Sequence, residues 1–278
     1  MIIDAHQHFW TLSRGDYPWP NDSVAAIFRD FGPEDLAPLL AATGVDKTIL
    51  VQATDTVAET TFLLDVAANT EWVAGVVGWV DFSAADAIDQ IEVLRKDPTL
   101  KGLRPMLQNI ADTNWILSAS FTPVLAHMEA VGLCFDALIQ PRHLVAIQEI
   151  AARHPALKIV VDHIAKPAMG GGQGPSLAWQ NGMAALAQSA NVHCKLSGVV
   201  TEIGAQWEPA DIAPFVDHVL DSFGAQKVIF GSDWPVVNLA SSYAIWHETV
   251  QERLSQMSAA DRAGIMGANA IKFYGLKP

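Results

Sequence analysis

The sequence predicts an α/β fold, a (β/α)8 TIM barrel taking in residues 1–278 as a single domain. Three observations predict it. Eight short apolar runs rich in β-branched residues recur along the chain. Stretches with helical spacing of apolar residues lie between them, and strands that alternate with helices build a parallel sheet, which eight such units over about 250 residues close into a barrel. Polar and titratable residues gather at the C-terminal ends of the runs, the end where such a barrel carries its chemistry.

The first run, "MIIDAH" at 1–6, leads into His6 and His8, which alternation of strand side chains places on one face. Residues 9–32 follow, rich in aromatics and turn formers; a connection this long in a compact domain is usually functional. "PEDLAPLLAATG" at 33–44 reads as a helix, with Pro near its start and Gly at its end. "KTILVQA" at 47–53 is the second strand, ending near Gln52, and "VAGVVGWV" at 73–80 the third. A helix over 84–97 precedes "KGLRP" at 101–105, a short fourth strand ending in Arg104.

Residues 105–121 form a second long connection. "LCFDALI" at 133–139 carries Asp136 and is followed by a helix over 141–154. "KIVVDHI" at 158–164 ends in His163; alternation turns Asp162 the other way, toward the helical layer, and leaves Lys166 as a solvated loop charge. "MGGGQG" at 169–174 is a flexible loop without the spacing of a phosphate-binding loop. "VHCKLSG" at 192–198 carries Lys195, with Glu202 in the loop beyond. After a helix over 209–224, "KVIFGSDW" at 227–234 brings Asp233 and Trp234, and Pro235 is expected to stop the strand. A doubly wound open sheet is the alternative, but no glycine-rich turn follows the first strand.

Composition removes several function classes. The net charge is −13 with no basic stripe, which argues against nucleic acid or an anionic membrane as partner. No apolar run reaches the length of a membrane span. Cys134 and Cys194 sit in apolar runs and read as free thiols of a reducing compartment; with no secretory signal in view, the expectation is a cytoplasmic protein. His127, His154, His218 and His247 fall in helices and read as structural or surface residues.

"IDAHQHFW", "GLRP", "FDALIQ", "VVDHIAKP", "CKLSG" and "FGSDWP", in this order, resemble the amidohydrolase superfamily, and within it the sugar-lactonase branch that holds L-fuconolactonase, L-rhamnonolactonase and pyrone-dicarboxylate lactonase types of enzyme. The resemblance implies a hydrolase of carboxylic esters whose catalytic cluster is His6, His8, His163 and Asp233. Elsewhere in the superfamily a carboxylated Lys or a Glu at the fourth strand often completes a second metal position. Here that strand ends in Arg104, which argues for one metal at most.

Opening a lactone requires water to attack a carbonyl, an oxyanion to be stabilised and the ring oxygen to be protonated. Asp233 is the candidate general base. Two electrophiles remain open: one divalent metal held by His6, His8, His163 and Asp233, or protonated imidazoles with Arg104. Three histidines and a carboxylate suit zinc, yet a lactone is reactive enough for the metal to be dispensable. Arg104, Gln52, Asp136, Lys195, Glu202 and Trp234 are the expected substrate contacts. Their mixture of donors and acceptors suits an uncharged sugar lactone as the small-molecule partner. The competing readings are a pyrone-dicarboxylate lactonase, a metal-dependent decarboxylase of the same superfamily and a non-catalytic sugar-binding barrel.

Overall fold

A computed structural model describes residues 1–277. Eight parallel strands pair in chain order: β1 Ile3–Gln7, β2 Lys47–Val51, β3 Val73–Gly78, β4 Leu100–Leu103, β5 Cys134–Ala137, β6 Ile159–Val161, β7 Val192–Leu196 and β8 Val228–Phe230. Around them run α1 Pro33–Thr43, α2 Val57–Ala68, α3 Ala87–Leu94, α4 Thr122–Val131, α5 Leu144–Arg153, α6 Leu177–Ala187, α7 Pro209–Phe223 and α8 Tyr243–Arg253. The chain then forms α9 Ala259–Ala263, a π-turn over Gly264–Ala268 and α10 Asn269–Tyr274. Helix starts follow local chemistry: Pro33 and Pro209 open α1 and α7, while Thr56, Ser176 and Ser242 accept backbone N–H groups at the starts of α2, α6 and α8.

The barrel closes between its first and last strands at their C-terminal ends. Asp233 N–H donates to the His6 carbonyl at 2.8 Å, His8 N–H donates to the Trp234 carbonyl at 2.7 Å, and Gln7 bridges Trp234 in parallel. Two apolar layers result. One lies between strands and helices; the other fills the barrel, where Ile3, Ala5, Ile49, Val51, Val77, Val160 and Ile229 meet Phe273, Tyr274 and Leu276. The segment around α10 thus plugs the end opposite the closure. The bonds of Lys158 Nζ to the Phe273 carbonyl (2.6 Å) and of Lys47 Nζ to the Lys277 carbonyl (3.5 Å) join it to strand beginnings.

Three local features depart from the sequence reading. β6 and β8 end at Val161 and Phe230, earlier than 164 and 234, so Pro235 is not what terminates β8. β1 carries a bulge: its register to β2 passes from Asp4↔Thr48 to Gln7↔Leu50, three steps against two. The extra residue resets alternation, so Ile3 and Ala5 face the interior below while His6 faces it above. Past β6 the chain turns left-handed, with φ of 52° at His163, 48° at Ile164, 62° at Ala165 and 47° at Lys166. Among the described residues, no helix is long and apolar enough to cross a membrane, and both cysteines are free and buried.

Candidate active site

A cavity of about 320 Å³ opens where the strands end. His8, His163, Asp233 and Arg104 form its polar floor, with Lys166 on one wall. His6 lies directly beneath. Its Nε2 is 3.2 Å from His8 Nε2, 3.3 Å from Arg104 Nη1 and 3.7 Å from Asp233 Oδ1. Asp233 Oδ1 is also 3.3 Å from His8 Nε2 and 3.9 Å from His163 Nε2. One carboxylate oxygen therefore stands among three imidazoles.

Local backbone makes this convergence possible. The bulge turns His6 inward. Asp233 itself has φ 59°, which swings its side chain over the closure. Asp4 fastens that closure from the outer side, its Oδ1 accepting from the N–H groups of Ser232 (2.8 Å) and His6 (3.1 Å) and its Oδ2 from Ser232 Oγ (2.6 Å). Burial pushes the Asp4 carboxyl up to about 6. Gly231 leaves room for His6, because a Cβ there would sit 2.7 Å from His6 Cβ. Gly198, at φ 61°, does the same for the His163 ring.

Burial sets the charge states. It pushes His6 well below the usual imidazole range, helped by the neighbouring Lys195 ammonium. Burial likewise lowers His163 to about 4, against the pull of Asp233 and Asp162. Asp233 goes the other way. Burial alone would raise its carboxyl, but His163, His8 and His6 around it hold it well below the usual carboxylate range. At neutral pH the cluster holds an ionised Asp233 beside neutral His6 and His163 rings.

The donor set fits a divalent metal. His8 Nδ1–H donates to the Val51 carbonyl at 2.7 Å, which leaves the Nε2 lone pair facing His6 and Asp233, the arrangement that orients metal-binding histidines. The separations among His6 Nε2, His8 Nε2 and Asp233 Oδ1 lie near the roughly 3.3 Å between ligands that share a tetrahedral ion about 2.05 Å away. Arg104 Nη1 competes for the same His6 nitrogen. Its other contacts, to Gln52 and to Asp162 Oδ2 (3.4 Å), draw it to the side.

The remaining expected contacts separate into two groups, and several are corrected. Arg104 reaches the cavity. Gln52 is buried behind it, accepting from Arg104 Nη2 at Oε1 (2.9 Å) and donating through Nε2 to the Arg104 carbonyl (3.1 Å), so it steers Arg104 and does not face a ligand. Asp136 and Lys195 pair with each other below His6, fully buried. They are cut off from the cavity because they project from lower positions on β5 and β7. Glu202 lies off the cavity lining and pairs with Lys166 at 3.1 Å. Trp234 is buried among aromatics, with ring centroids 6.0 Å from Phe9 and 5.2 Å from Phe31.

Two further expectations reverse. Asp162 faces the interior, with Oδ1 3.4 Å from His6 Nδ1 and 3.1 Å from Lys195 Nζ. It keeps the parity of interior Val160, and it is His163 that breaks parity, through its left-handed backbone. Lys166, at the end of the same turn, lines the cavity instead of pointing to solvent. The sequence reading also missed Trp19, Thr54, Asp55, Gln108 and Asn109, all on the cavity wall. They sit in loops, where no periodicity marks direction; the length of 9–32 was the one available signal, and Trp19 Nε1 pins that loop to the Ala53 carbonyl at 2.8 Å.

The pattern of the amidohydrolase family matches residues 3–276. A protein of Burkholderia ambifaria named L-fucono-1,5-lactonase is 47 % identical over 276 residues, covering 98 % of this chain and 94 % of that one. Another of the same name, from Burkholderia multivorans, is 37 % identical over 286 residues, covering 99 % and 96 %. Among solved structures, an amidohydrolase from Burkholderia multivorans with bound zinc superposes at a TM-score of 0.94 and 36 % identity, both chains covered in full. The chain belongs to the amidohydrolase family.

Proposed function

We propose that this protein is a lactonase that opens an uncharged sugar acid lactone, of the L-fucono-1,5-lactone kind, to its free acid. The observation that carries this reading is the ionised Asp233 held among His6, His8 and His163 at the floor of the cavity, in a family whose relatives carry that activity. A divalent cation, zinc by the chemistry of the donors, would be held by His6, His8, Asp233 and His163 and would supply Lewis-acid polarisation of the lactone carbonyl.

The chain's own groups do the rest. Asp233, charged and aimed into the cavity, takes the proton of the attacking water and returns it to the ring oxygen as the bond breaks. Arg104 reaches the floor, and its guanidinium is the fixed cation available to an oxygen that gains charge. His163, neutral at pH 7, is oriented by a contact of its Nδ1 with Ser197 Oγ at 3.0 Å and presents Nε2 to the reacting centre. The walls divide between Thr54, Asp55, Gln108 and Asn109, which match hydroxyls, and Met106, Leu138 and Val236, which match a deoxy carbon. Two cations, Arg104 and Lys166, are balanced in the lining by Asp55 and Asp233, which opposes a dicarboxylate substrate. Two free buried cysteines are consistent with a cytoplasmic location.

The test is a pH-indicator assay over stereochemically diverse lactones. Ring opening releases one proton per turnover. A hydroxyl of the wrong configuration leaves a buried partner unpaired at about 1–3 kcal/mol, so L-fucono-1,5-lactone is expected to exceed epimers with inverted hydroxyls by at least about tenfold in kcat/KM. Equal slow rates on all sugar lactones beside fast opening of a pyrone dicarboxylate would refute the reading, as would carbon dioxide release without ring opening.

A further inference from the structure

Below the cavity a line of buried side chains leads away from His6 toward the far end of the barrel. Tyr274, carried there by α10, donates its hydroxyl to Asp136 Oδ2 at 2.8 Å. The same oxygen accepts from Lys195 Nζ. Lys195 Nζ also lies 3.1 Å from Asp162 Oδ1 and 3.3 Å from His6 Nδ1. Asp136, Asp162, Lys195 and His6 have no solvent exposure, and Tyr274 has almost none. The two carboxylates balance Lys195 and Arg104, so the line is neutral as a unit and each charge depends on the placement of the next.

We propose that Tyr274 is a positioning residue for His6, acting through Asp136 and Lys195. The proposal rests on the reading of His6 as part of the reacting cluster. His6 Nδ1 has two rival partners. Asp162 Oδ1 stands 3.4 Å away as the available acceptor, its hydrogen-bonding capacity unmet, and Lys195 Nζ, at 3.3 Å, is the available donor. If Asp162 prevails, Nδ1 carries the hydrogen and Nε2 turns a lone pair toward His8 and Asp233. If Lys195 prevails, Nε2 carries the hydrogen.

The balance depends on where Nζ rests between Asp136 and Asp162. Asp136 Oδ1 has no hydrogen-bond partner, so Oδ2 carries the whole demand of that carboxylate. The Tyr274 hydroxyl meets part of this demand and leaves Lys195 free to lean toward Asp162. Without it, Asp136 draws Nζ to itself and the contacts at His6 Nδ1 change. The helix that plugs one end of the barrel therefore helps choose which nitrogen of His6 bears hydrogen at the other.

The test is Tyr274→Phe, compared with Phe273→Leu, which removes a ring packed 4.8 Å from that of Tyr274 but keeps every hydrogen-bonding group of the line. For Tyr274→Phe, kcat is expected to fall about tenfold at unchanged KM, because no cavity wall is altered, and the ring-nitrogen resonances of His6 are expected to shift in 15N-resolved NMR while those of His127 and His218 stay in place. For Phe273→Leu, the melting temperature is expected to fall while kcat, KM and the His6 resonances match the wild type. A folded Tyr274→Phe with wild-type kcat and His6 resonances overturns the proposal, as does a Phe273→Leu that reproduces its kinetic change. Should Tyr274→Phe not fold, Asp136→Asn, which keeps the shape and an acceptor oxygen, probes the same line; unshifted His6 resonances in it overturn the proposal. The NMR comparison stands apart from turnover, so a wild type that opens no lactone would refute the functional reading while this one remained testable.

Discussion

Asp233 keeps a negative charge where burial alone would neutralise it, and two of the imidazoles that allow this, His8 and His163, line the cavity beside it. Asp233→Asn keeps the size and the backbone and removes the proposed base. It is expected to lower kcat by about 10²–10⁴ with an unchanged circular dichroism spectrum. His163 gives a pH signature. Its folded value of about 4 lies below the ordinary 6.5, so as pH falls through that window the unfolded chain takes up a proton that the folded chain refuses. Metal-stripped wild type is therefore expected to lose stability relative to His163→Asn between pH 6.5 and 4, read as a shrinking difference in melting temperature. The identities of both residues were legible in the sequence because a carboxylate and a histidine at strand ends stand out in apolar runs. The direction of Asp162 was not: parity counted from His163 turned it outward, and nothing in "VVDHIAKP" marks that His163 leaves the β region.

At the scale of elements, eight strands and the four helices α1, α3, α5 and α7 were read from periodicity, since period 2 and period 3.6 are both carried by side-chain polarity. The connections could not, and the site is finished by connections: the bulge in β1, the left-handed turn over 163–166 and the closure over 231–235. Each is a backbone feature a few residues long, specified by packing against partners remote in sequence. Gly231 illustrates this. Its φ is open to any residue, yet a methyl group there meets both His6 Cβ and Ser197 Cβ. Gly231→Ala is expected to cost about 1–3 kcal/mol in urea unfolding and to lower kcat by displacing His6. An unchanged midpoint and unchanged turnover would show that the closure relaxes at no cost.

For the molecule as a whole, the acidity read from composition and the ion pairing inside the barrel are separate matters. Most of the acidic residues behind the net charge of −13 lie outside the core, while inside the barrel Asp136 and Asp162 face Lys195 and Arg104. A metal bound to the folded state alone would add to this balance. Stripped protein titrated with zinc is expected to take up no more than one equivalent per chain by elemental analysis and to melt higher as free zinc rises, by about 2.7 kcal/mol at a hundredfold excess over Kd. Two tight equivalents would contradict a single site.

The closure of β1 onto the residues after β8 has a consequence in time. His6 and His8 leave the ribosome more than two hundred positions ahead of the partner they wait for. Until Asp233 and Trp234 arrive, the first strand has no seam to join and its histidines have no carboxylate to share. A growing chain is thus catalytically silent until those residues emerge, and the step that completes the sheet is the one that brings the cluster together.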